Sequence, residues 1–181
     1  MSELPFLPFS KIPRLNRNCI ITEKIDGTNA QIYITDSGEV IAGSRSRWIY
    51  PGDDNFGFAS WVKSKEESIR TLLGPGQHFG EWWGKGIQRG YGLSERRFSL
   101  FNTTRWESQK LPEGIDTVPL LYKGPFNTNI TQELIEFLKN TGSQAVKGFM
   151  KPEGIVIYHE GLNGMFKVTC EKDESPKGLS I

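Results

Sequence analysis

Apolar and polar positions alternate over several short stretches of the chain, with the period of two that is typical of β-strands. The apolar run Cys19-Ile20-Ile21 precedes a turn at Gly27, and Ala30-Gln31-Ile32-Tyr33-Ile34 alternates after it. A short strand over 39–42 follows a second turn, so residues 18–42 predict an antiparallel meander. Further strands are predicted over 77–83, 97–102, 118–122, 153–158 and 164–169.

Two stretches have helical rather than strand spacing. Apolar residues recur from Phe58 to Leu73 and predict one helix that Gly74-Pro75-Gly76 ends, and a second helix is predicted over about 131–139. The proline-rich segment 1–16 indicates an extended arm packed over the domain surface, and the tail 171–181 is expected to fray. We therefore expect an α+β fold of antiparallel sheets with flanking helices, in a single domain over 1–181 without a separate carboxyl-terminal domain.

Composition excludes several classes of protein. The formal net charge of the 181 residues is +1, so a nucleic-acid partner would have to bind a local basic face. The two cysteines, Cys19 and Cys170, and the two histidines lack the spacing of a zinc site. No apolar run is long enough to cross a membrane, and no secretory leader is apparent, so we expect a cytoplasmic protein.

Charged side chains occur at the ends of the predicted strands or within them. They are Lys24, Asp26, Arg45, Glu81, Glu153 and Lys167. A lysine nucleophile with an arginine, a second cation and several carboxylates suits attack on a nucleoside triphosphate, with a divalent metal screening the phosphate charge. Each residue taken alone also has an ordinary explanation, because strand-end charges are commonly solvated and strand phenylalanines such as Phe101 commonly pack in a core.

The loop over 84–92 contains four glycines, but it matches neither of the common phosphate-binding fingerprints. Gly86 stands where a Walker loop requires a hydroxyl residue, and the glycine spacing differs from that of dinucleotide-binding folds. We interpret it as a flexible loop that closes over a site or touches a polynucleotide.

Six stretches together resemble the motifs of the ATP-dependent covalent nucleotidyltransferases, and most of all the RNA ligase 2-like family. The first three are Lys24-Ile25-Asp26-Gly27-Thr28-Asn29, Ser44-Arg45, and Phe79-Gly80-Glu81 with Trp82 to Gln88. The others are Phe98-Ser99-Leu100-Phe101, Pro152-Glu153-Gly154-Ile155-Val156 and Phe166-Lys167-Val168-Thr169. They follow the family's order over about residues 18–170, and the resemblance implies the family's ATP-grasp-like adenylation core.

The resemblance also implies a role for each matching position. Lys24 would attack the α-phosphate of ATP to form a lysyl-adenylate, and Lys167 would neutralise the phosphate. The implied ATP-binding or AMP-binding set is Glu23, Lys24, Asn29, Arg45, Glu81, Phe101, Glu153 and Lys167, with Phe101 stacking on adenine. Asp26, Glu81 and Glu153 would hold Mg²⁺ or Mn²⁺, partly through water.

The implied partner is a polynucleotide with 5′-phosphate and 3′-hydroxyl ends, RNA in preference to DNA. Two features depart from the family. Thr169 replaces a second lysine, and the chain ends soon after the last motif, so a partner protein or a local basic face would have to grip the substrate. The candidates for that face are Arg47, Lys85, Arg89, Arg96 and Arg97.

Two alternatives remain open from the sequence. The chain could be a nucleotide-binding or RNA-binding module with impaired catalysis, which Thr169 motivates. It could also be a capping-type guanylyltransferase, which would share the lysine chemistry and take up GTP in preference to ATP.

Overall fold

A computed structural model describes residues 5–171. They form two sheets with four helices, which confirms the α+β prediction. The strands are β1 Asn18–Lys24, β2 Thr28–Ile34, β3 Val40–Ser44, β4 Trp48–Ile49, β5 Gly76–Gly84, β6 Arg96–Leu100, β7 Ile115–Thr117, β8 Leu120–Pro125, β9 Gly154–His159 and β10 Gly164–Thr169. The helices are α1 Phe58–Ser64, α2 Glu66–Leu73, α3 Thr103–Trp106 and α4 Thr128–Thr141. None of them is long and apolar enough to span a bilayer.

The smaller sheet has the strand order β10-β9-β1-β8, and all its neighbours are antiparallel. One face of it packs on α4, where Cys19, Ile21, Ile135, Leu138 and Ile155 form a buried cluster. Because side chains alternate between the faces of a strand, the other face of β1 carries Thr22 and Lys24. The packed face therefore anchors the strand, and the opposite face is left for the charged residues.

The larger sheet has the order β4-β3-β2-β5-β6-β7. Its inner face packs on α1 and α2 through the largest apolar cluster, in which the rings of Phe58, Trp82 and Phe98 lie close together. A third cluster, which includes Ile25 and Trp83, lies apart from these two cores. It joins Ile25, from the link that follows β1, to Trp83 of β5. The cluster therefore packs the link that leaves the smaller sheet against the larger sheet.

The predicted meander is wrong at its first step, because β1 and β2 lie in different sheets. The three residues Ile25, Asp26 and Gly27 connect them. A methyl group on Gly27 would lie 2.5 Å from the Trp82 carbonyl oxygen, so the link runs directly against β5. A short turn between two alternating runs predicts a hairpin, and the local pattern does not distinguish a hairpin from this crossing.

Other boundaries also differ from the prediction. The helix expected from Phe58 to Leu73 is interrupted at Lys65, whose φ is −115°, and α2 restarts with two acidic residues, which the positive end of a helix favours. Strand β6 ends at Leu100, one residue before Phe101. The short strand β7 was not predicted, and it pairs in parallel with β6, so the sheets are not wholly antiparallel.

The amino-terminal arm lacks regular secondary structure, and residues 5–14 are exposed, with Phe6 and Phe9 among the most accessible apolar residues. The expectation that the arm lies packed over the domain is wrong for these residues. The arm meets the rest of the fold at Leu15, whose carbonyl oxygen accepts a hydrogen bond from Nε2 of His159 at 2.6 Å. Residues 1–4 and 172–181 lie outside the described part of the chain. The tail that was expected to fray, 171–181, therefore lies outside it except for its first residue.

Candidate active site

Lys24 is the last residue of β1, and its amine forms an ion pair with a buried carboxylate. The Nζ atom lies 2.6 Å from Oε2 of Glu153, which directly precedes β9. The register aligns Lys24 with Gly154, so the backbone holds the two charged residues side by side. A Cβ atom at Gly154 would lie 2.1 Å from the Val168 carbonyl oxygen, so only glycine allows this close approach of β9 and β10.

Glu81 provides a second carboxylate at this site. It lies on β5 and accepts hydrogen bonds from the Gly27 N–H at 3.1 Å and from Nδ2 of Asn29 at 3.3 Å. The pKa of Glu81 is raised to about 7, chiefly by burial; Lys24 and the Gly27 N–H oppose the rise, and the charges of Glu153 and Asp26 add to it. Near neutral pH this carboxyl group is therefore partly protonated.

Asp26 provides the third carboxylate, from the link between the sheets. Its Oδ2 atom lies 2.9 Å from Nε of Arg89, and its backbone N–H donates to the hydroxyl of Tyr91 at 2.9 Å. Arg89 also donates from Nη1 to the Lys151 carbonyl oxygen at 3.1 Å. One arginine of the glycine-rich loop thus connects the link after Lys24 to the segment before Glu153.

The glycine-rich loop over 84–92 is held in shape by the contacts of Arg89 and Tyr91. Gln88 and Tyr91 have φ angles of 46° and 54°, which are uncommon for residues with side chains. Tyr91 is buried, and its ring packs against Trp83 and Phe149 at centroid distances of 4.9 and 4.4 Å. The loop that the sequence indicated as flexible is therefore tied to the site through Arg89 and Tyr91.

The structure shows no ready-made metal cage at these carboxylates, since within residues 5–171 no three acidic, histidine or cysteine side chains lie close enough together to hold a metal ion directly. Asp26 directly precedes Gly27, whose N–H binds Glu81, and Glu153 pairs with Lys24, so the three carboxylates lie around the link that follows β1. Mg²⁺ commonly keeps several waters and uses only one or two carboxylates, so the metal role of Asp26, Glu81 and Glu153 stays a prediction.

Comparison with known proteins identifies the family. The RNA ligase family model matches residues 17–169. The chain belongs to the RNA ligase family. No curated protein matches it.

Solved structures share the fold of this RNA ligase family member. A mutant of Naegleria gruberi RNA ligase with ATP and Mn has a TM-score of 0.64 at 18% identity, over 87% of this chain and 51% of that one. The same protein with PPi has a TM-score of 0.60 at 18% identity, over 85% and 50%. Another of its mutants, with AMP and Mn, has a TM-score of 0.57 at 18% identity, over 86% and 50%. The chain spans about half the length of these structures.

Lys167 lies on the same face of the smaller sheet as Lys24. It is aligned with Val156, which is aligned with Thr22, and Thr22 and Lys24 share a face of β1. Thr169 is aligned with Gly154 in the row that contains Lys24, and its hydroxyl donates to the Glu171 carbonyl oxygen at 2.9 Å. The departure from the family pattern therefore lies in the same row as the candidate nucleophile, with Gly154 of β9 between them.

Other residues of this RNA ligase family member are arranged around the larger sheet. Asn29 is aligned with Glu81 across β2 and β5, and Phe101, which follows β6, is 38% exposed as a residue. Arg45 is exposed in the turn between β3 and β4, two strands from β5. The structure thus brings Asn29 to Glu81, while Arg45 lies at a more distant part of the same sheet.

The carboxylate of Glu23 lies on the other side of β1 from the Lys24 amine. Its Oε2 atom accepts hydrogen bonds from the N–H groups of Gln144 and Ala145 at 2.7 and 3.1 Å. Burial raises the pKa of Glu23 although these hydrogen bonds oppose the rise. The side chain thus holds the segment after α4. The part of Glu23 in nucleotide binding stays a prediction.

Most of the five candidate basic residues are engaged within the chain. Arg47 forms a two-pronged pair with Asp53 at 2.6 and 2.8 Å, and Arg97 pairs with Glu95 at 2.7 Å. Arg96 donates to the carbonyl oxygens of Lys85 and Phe56 at 3.0 and 2.7 Å. Lys85 is exposed, and Arg89 is bound to Asp26 as described above. A phosphate-binding face built from these five residues stays a prediction.

Sequence reasoning missed Tyr91 and the bracing role of Arg89. Neither position carries a local signal, because the loop that places them takes its shape from left-handed backbone angles and from contacts with distant segments. The orientation of Glu23 had a signal. Adjacent strand residues point to opposite faces, so Glu23 and Lys24 could not both direct their side chains into one site.

Proposed function

We propose that the chain is an ATP-dependent polynucleotide ligase with a preference for RNA, and that Lys24 is its nucleophile. The observation that carries the proposal is the position of the Lys24 amine, which lies 2.6 Å from Glu153 and interacts electrostatically with Glu81. Membership of the RNA ligase family supports it. An amine so placed can be reached from solvent, since the Lys24 side chain is 20% exposed.

In the first step, the lysine nitrogen attacks the α-phosphorus of ATP. A phosphorus–nitrogen bond forms, the bond to the β-phosphate oxygen breaks, and pyrophosphate departs with the electron pair. Only the neutral amine has a lone pair to donate, so Lys24 must first give up a proton, and the nitrogen loses a second proton to solvent once the phosphorus–nitrogen bond has formed. Glu153 is the group beside Nζ that is positioned to accept the first proton.

Asp26, Glu81 and Glu153 would hold the divalent cation, which supplies screening of the phosphate charge. Lys167 is exposed on the face of the smaller sheet that carries Lys24, and there it would meet the phosphates. Phe101 would stack on adenine, because the residue is partly exposed. Asn29 and Glu81 would meet the ribose hydroxyls.

The later steps complete strand joining. The adenylate passes from Lys24 to the 5′-phosphate of a polynucleotide, which restores the amine, and a 3′-hydroxyl oxygen then attacks that phosphate and expels AMP. Naegleria gruberi RNA ligase has been solved with ATP and Mn and with AMP and Mn, which supports the same ligands for this chain. The single domain over 1–181 would act as the adenylation core.

Covalent labelling tests the proposal. The purified chain with α-labelled ATP and Mg²⁺ should acquire a label that survives denaturation and that added pyrophosphate removes. Lys24→Ala should abolish the label, whereas Lys139→Ala, which changes an exposed lysine on α4, should retain it. An unlabelled wild-type chain across a range of metals and pH would overturn the proposal.

Two further assays separate the ligase from its alternatives. Labelling by GTP in preference to ATP would indicate a capping-type guanylyltransferase. Joining of nicked RNA, DNA and mixed strands should be fastest with RNA, and nucleotide binding without any joining would indicate a module that has lost turnover.

A further inference from the structure

Five residues form a straight row across the larger sheet. Trp48 is aligned with Gly43, Gly43 with Gln31, and Gln31 with Phe79. The N–H of Phe101 donates to the Phe79 carbonyl oxygen at 3.0 Å, which continues the row beyond the end of β6. Aligned residues of neighbouring antiparallel strands point to the same face, so this row, which we call the aromatic row, lies on one surface.

The aromatic row lies on the outer face of the sheet. The opposite face carries the buried residues Ala30, Ile32 and Leu100 of the main core. Trp48, Phe79 and Phe101 are 41, 52 and 38% exposed, although they are large apolar side chains on regular strands or directly after one. Exposed aromatic rings that recur across one sheet face usually mark a binding surface.

The ring of Trp48 lies against the sheet. A Cβ atom at Gly43 would be only 3.0 Å from two of its ring carbons, so the glycine leaves room for the indole. Tyr33 packs beside it, with ring centroids 6.0 Å apart and planes inclined by 32°. The indole is therefore held in place before any ligand arrives, which lowers the entropy that binding would cost.

The aromatic row adjoins the candidate active site. Asn29 lies two residues before Gln31 on β2, and Glu81 lies two residues after Phe79 on β5. Asn29 and Glu81 are aligned with each other, so they form the neighbouring row of the same face. Arg45 is exposed in the turn that leads into Trp48, while Arg47 of the same turn is paired with Asp53. A strand of nucleic acid that reaches the site across this face would thus have the Arg45 guanidinium beside its phosphates.

The polar groups between the rings favour nucleobases over an apolar peptide. The amide of Gln31 lies within the row, where it donates to the Ser44 carbonyl oxygen at 3.0 Å and accepts from Gln77. An apolar peptide segment bound over the row would exclude water from these amides without offering them hydrogen bonds. Bases present both a flat ring face and hydrogen-bonding edges, and they are bound in this way by sheets that display aromatic residues.

We propose that unpaired bases of the polynucleotide substrate stack on Trp48 and Phe79, next to the site where Phe101 meets the nucleotide. The inference rests on the proposed function, since it takes the substrate to be a polynucleotide. It assigns the substrate a single-stranded segment close to the end that is joined. Recognition by stacking is tolerant of sequence, so the surface would select for unpaired strands and not for particular bases.

Binding of a fluorescently labelled, 5′-phosphorylated single-stranded RNA to the full chain tests the proposal by anisotropy. Trp48→Ala and Phe79→Ala should each weaken binding about tenfold, within the range measured for loss of one stacked base. Trp48→Phe and Phe79→Trp should restore it. Phe137→Ala, which changes a phenylalanine of similar exposure on α4, should bind as the wild type does.

Three readouts separate stacking from charge and from misfolding. A strand of the same length without bases should bind the wild type as weakly as intact RNA binds the double alanine variant. The salt dependence of binding should be unchanged in Phe79→Ala and shallower in Arg45→Ala, because only the second substitution removes a charge. Thermal unfolding of each variant checks that the fold is intact.

Equal affinity of wild type and double alanine variant for intact RNA would overturn the proposal, as would equal affinity of the wild type for strands with and without bases. Covalent labelling of the wild type by ATP is scored separately. A chain that binds through the aromatic row but takes up no label would retain this surface and lose the proposed ligase activity, so the two failures are distinguishable.

Discussion

Arg89 holds Asp26 through a contact of 2.9 Å between Nε and Oδ2, and the same guanidinium donates to the Lys151 carbonyl oxygen. The arginine comes from the glycine-rich loop, and its two partners belong to the segments that carry Lys24 and Glu153. It is thus the side chain that spans the two segments carrying the candidate nucleophile and its carboxylate partner.

We expect Arg89→Ala to reduce the rate of covalent labelling by about tenfold while changing the free energy of unfolding by about 1 kcal/mol, since the side chains of the ion pair are 32% and 13% exposed and lie between the solvated and the buried case. Labelling rates and urea unfolding measure the two effects. Arg70→Ala is the matched control, because Arg70 is also a partly exposed arginine paired with carboxylates, on α2. Equal labelling of both variants would show that Arg89 does not position the site.

Glu153→Gln should slow labelling by at least tenfold and shift its pH dependence to higher pH. The amide keeps the shape of the side chain but cannot accept the proton that Lys24 must lose. Rates measured from pH 6 to 9 test this, and Glu160→Gln changes an exposed acid of the neighbouring turn as a control. If Glu153→Gln keeps the wild-type labelling rate and pH profile, another group accepts the proton from Lys24.

Glu81 should make the metal-free protein less stable as the pH rises. Its pKa is raised from 4.5 to about 7 in the folded chain, so the folded state binds the proton more tightly than the unfolded state does. Stability is therefore full below about pH 4.5 and falls as the pH rises through about 7, by about 1.4 kcal/mol per unit of pKa difference. Unfolding by urea in a chelator measures this loss.

Glu81→Gln should remove that part of the pH dependence, so wild type and variant should diverge between pH 5 and 8. The other titratable groups are common to both proteins and cancel in the difference. Wild-type and variant curves that remain parallel over this range would contradict the raised pKa.

Glu23→Ala should destabilise the fold by about 1–3 kcal/mol, because the N–H groups of Gln144 and Ala145 lose their acceptor. Glu23→Gln keeps an acceptor oxygen and should cost less. Chemical unfolding compares both with Glu133→Ala, an exposed acid on α4. Slower covalent labelling with an unchanged free energy of unfolding would instead place the Glu23 side chain in nucleotide binding.

The sequence predicted the elements whose pattern is local, and it failed where distant contacts decide. Alternation located β1, β2, β5, β9 and β10, and helical spacing located α4, because burial of one face leaves a periodic trace. The assignment of β1 and β2 to different sheets left no such trace. Strand partners depend on the whole fold, and three connecting residues are compatible with a hairpin or with a crossing.

The candidate site shows the same division. Charges at strand ends identified Lys24, Glu81 and Glu153 as residues that the fold could bring together, and the structure does so. The aromatic row could not be recognised in advance. Trp48 and Phe79 fall in separate strands with Gly43 and Gln31 between them, and only the register aligns them.

The connection of Ile25, Asp26 and Gly27 is fixed at every residue, by the third apolar cluster, by Tyr91 and Arg89, and by Glu81 and the Trp82 carbonyl oxygen. One added or deleted amino acid there would move Lys24 away from acids that belong to other strands. Surface turns such as the one over 36–38 have fewer such contacts, chiefly the hydrogen bond from Nε of Arg70 to the Gly38 carbonyl oxygen at 2.6 Å. In homologous chains, length variation should therefore accumulate in those turns, and this connection should keep its length even where its residues change.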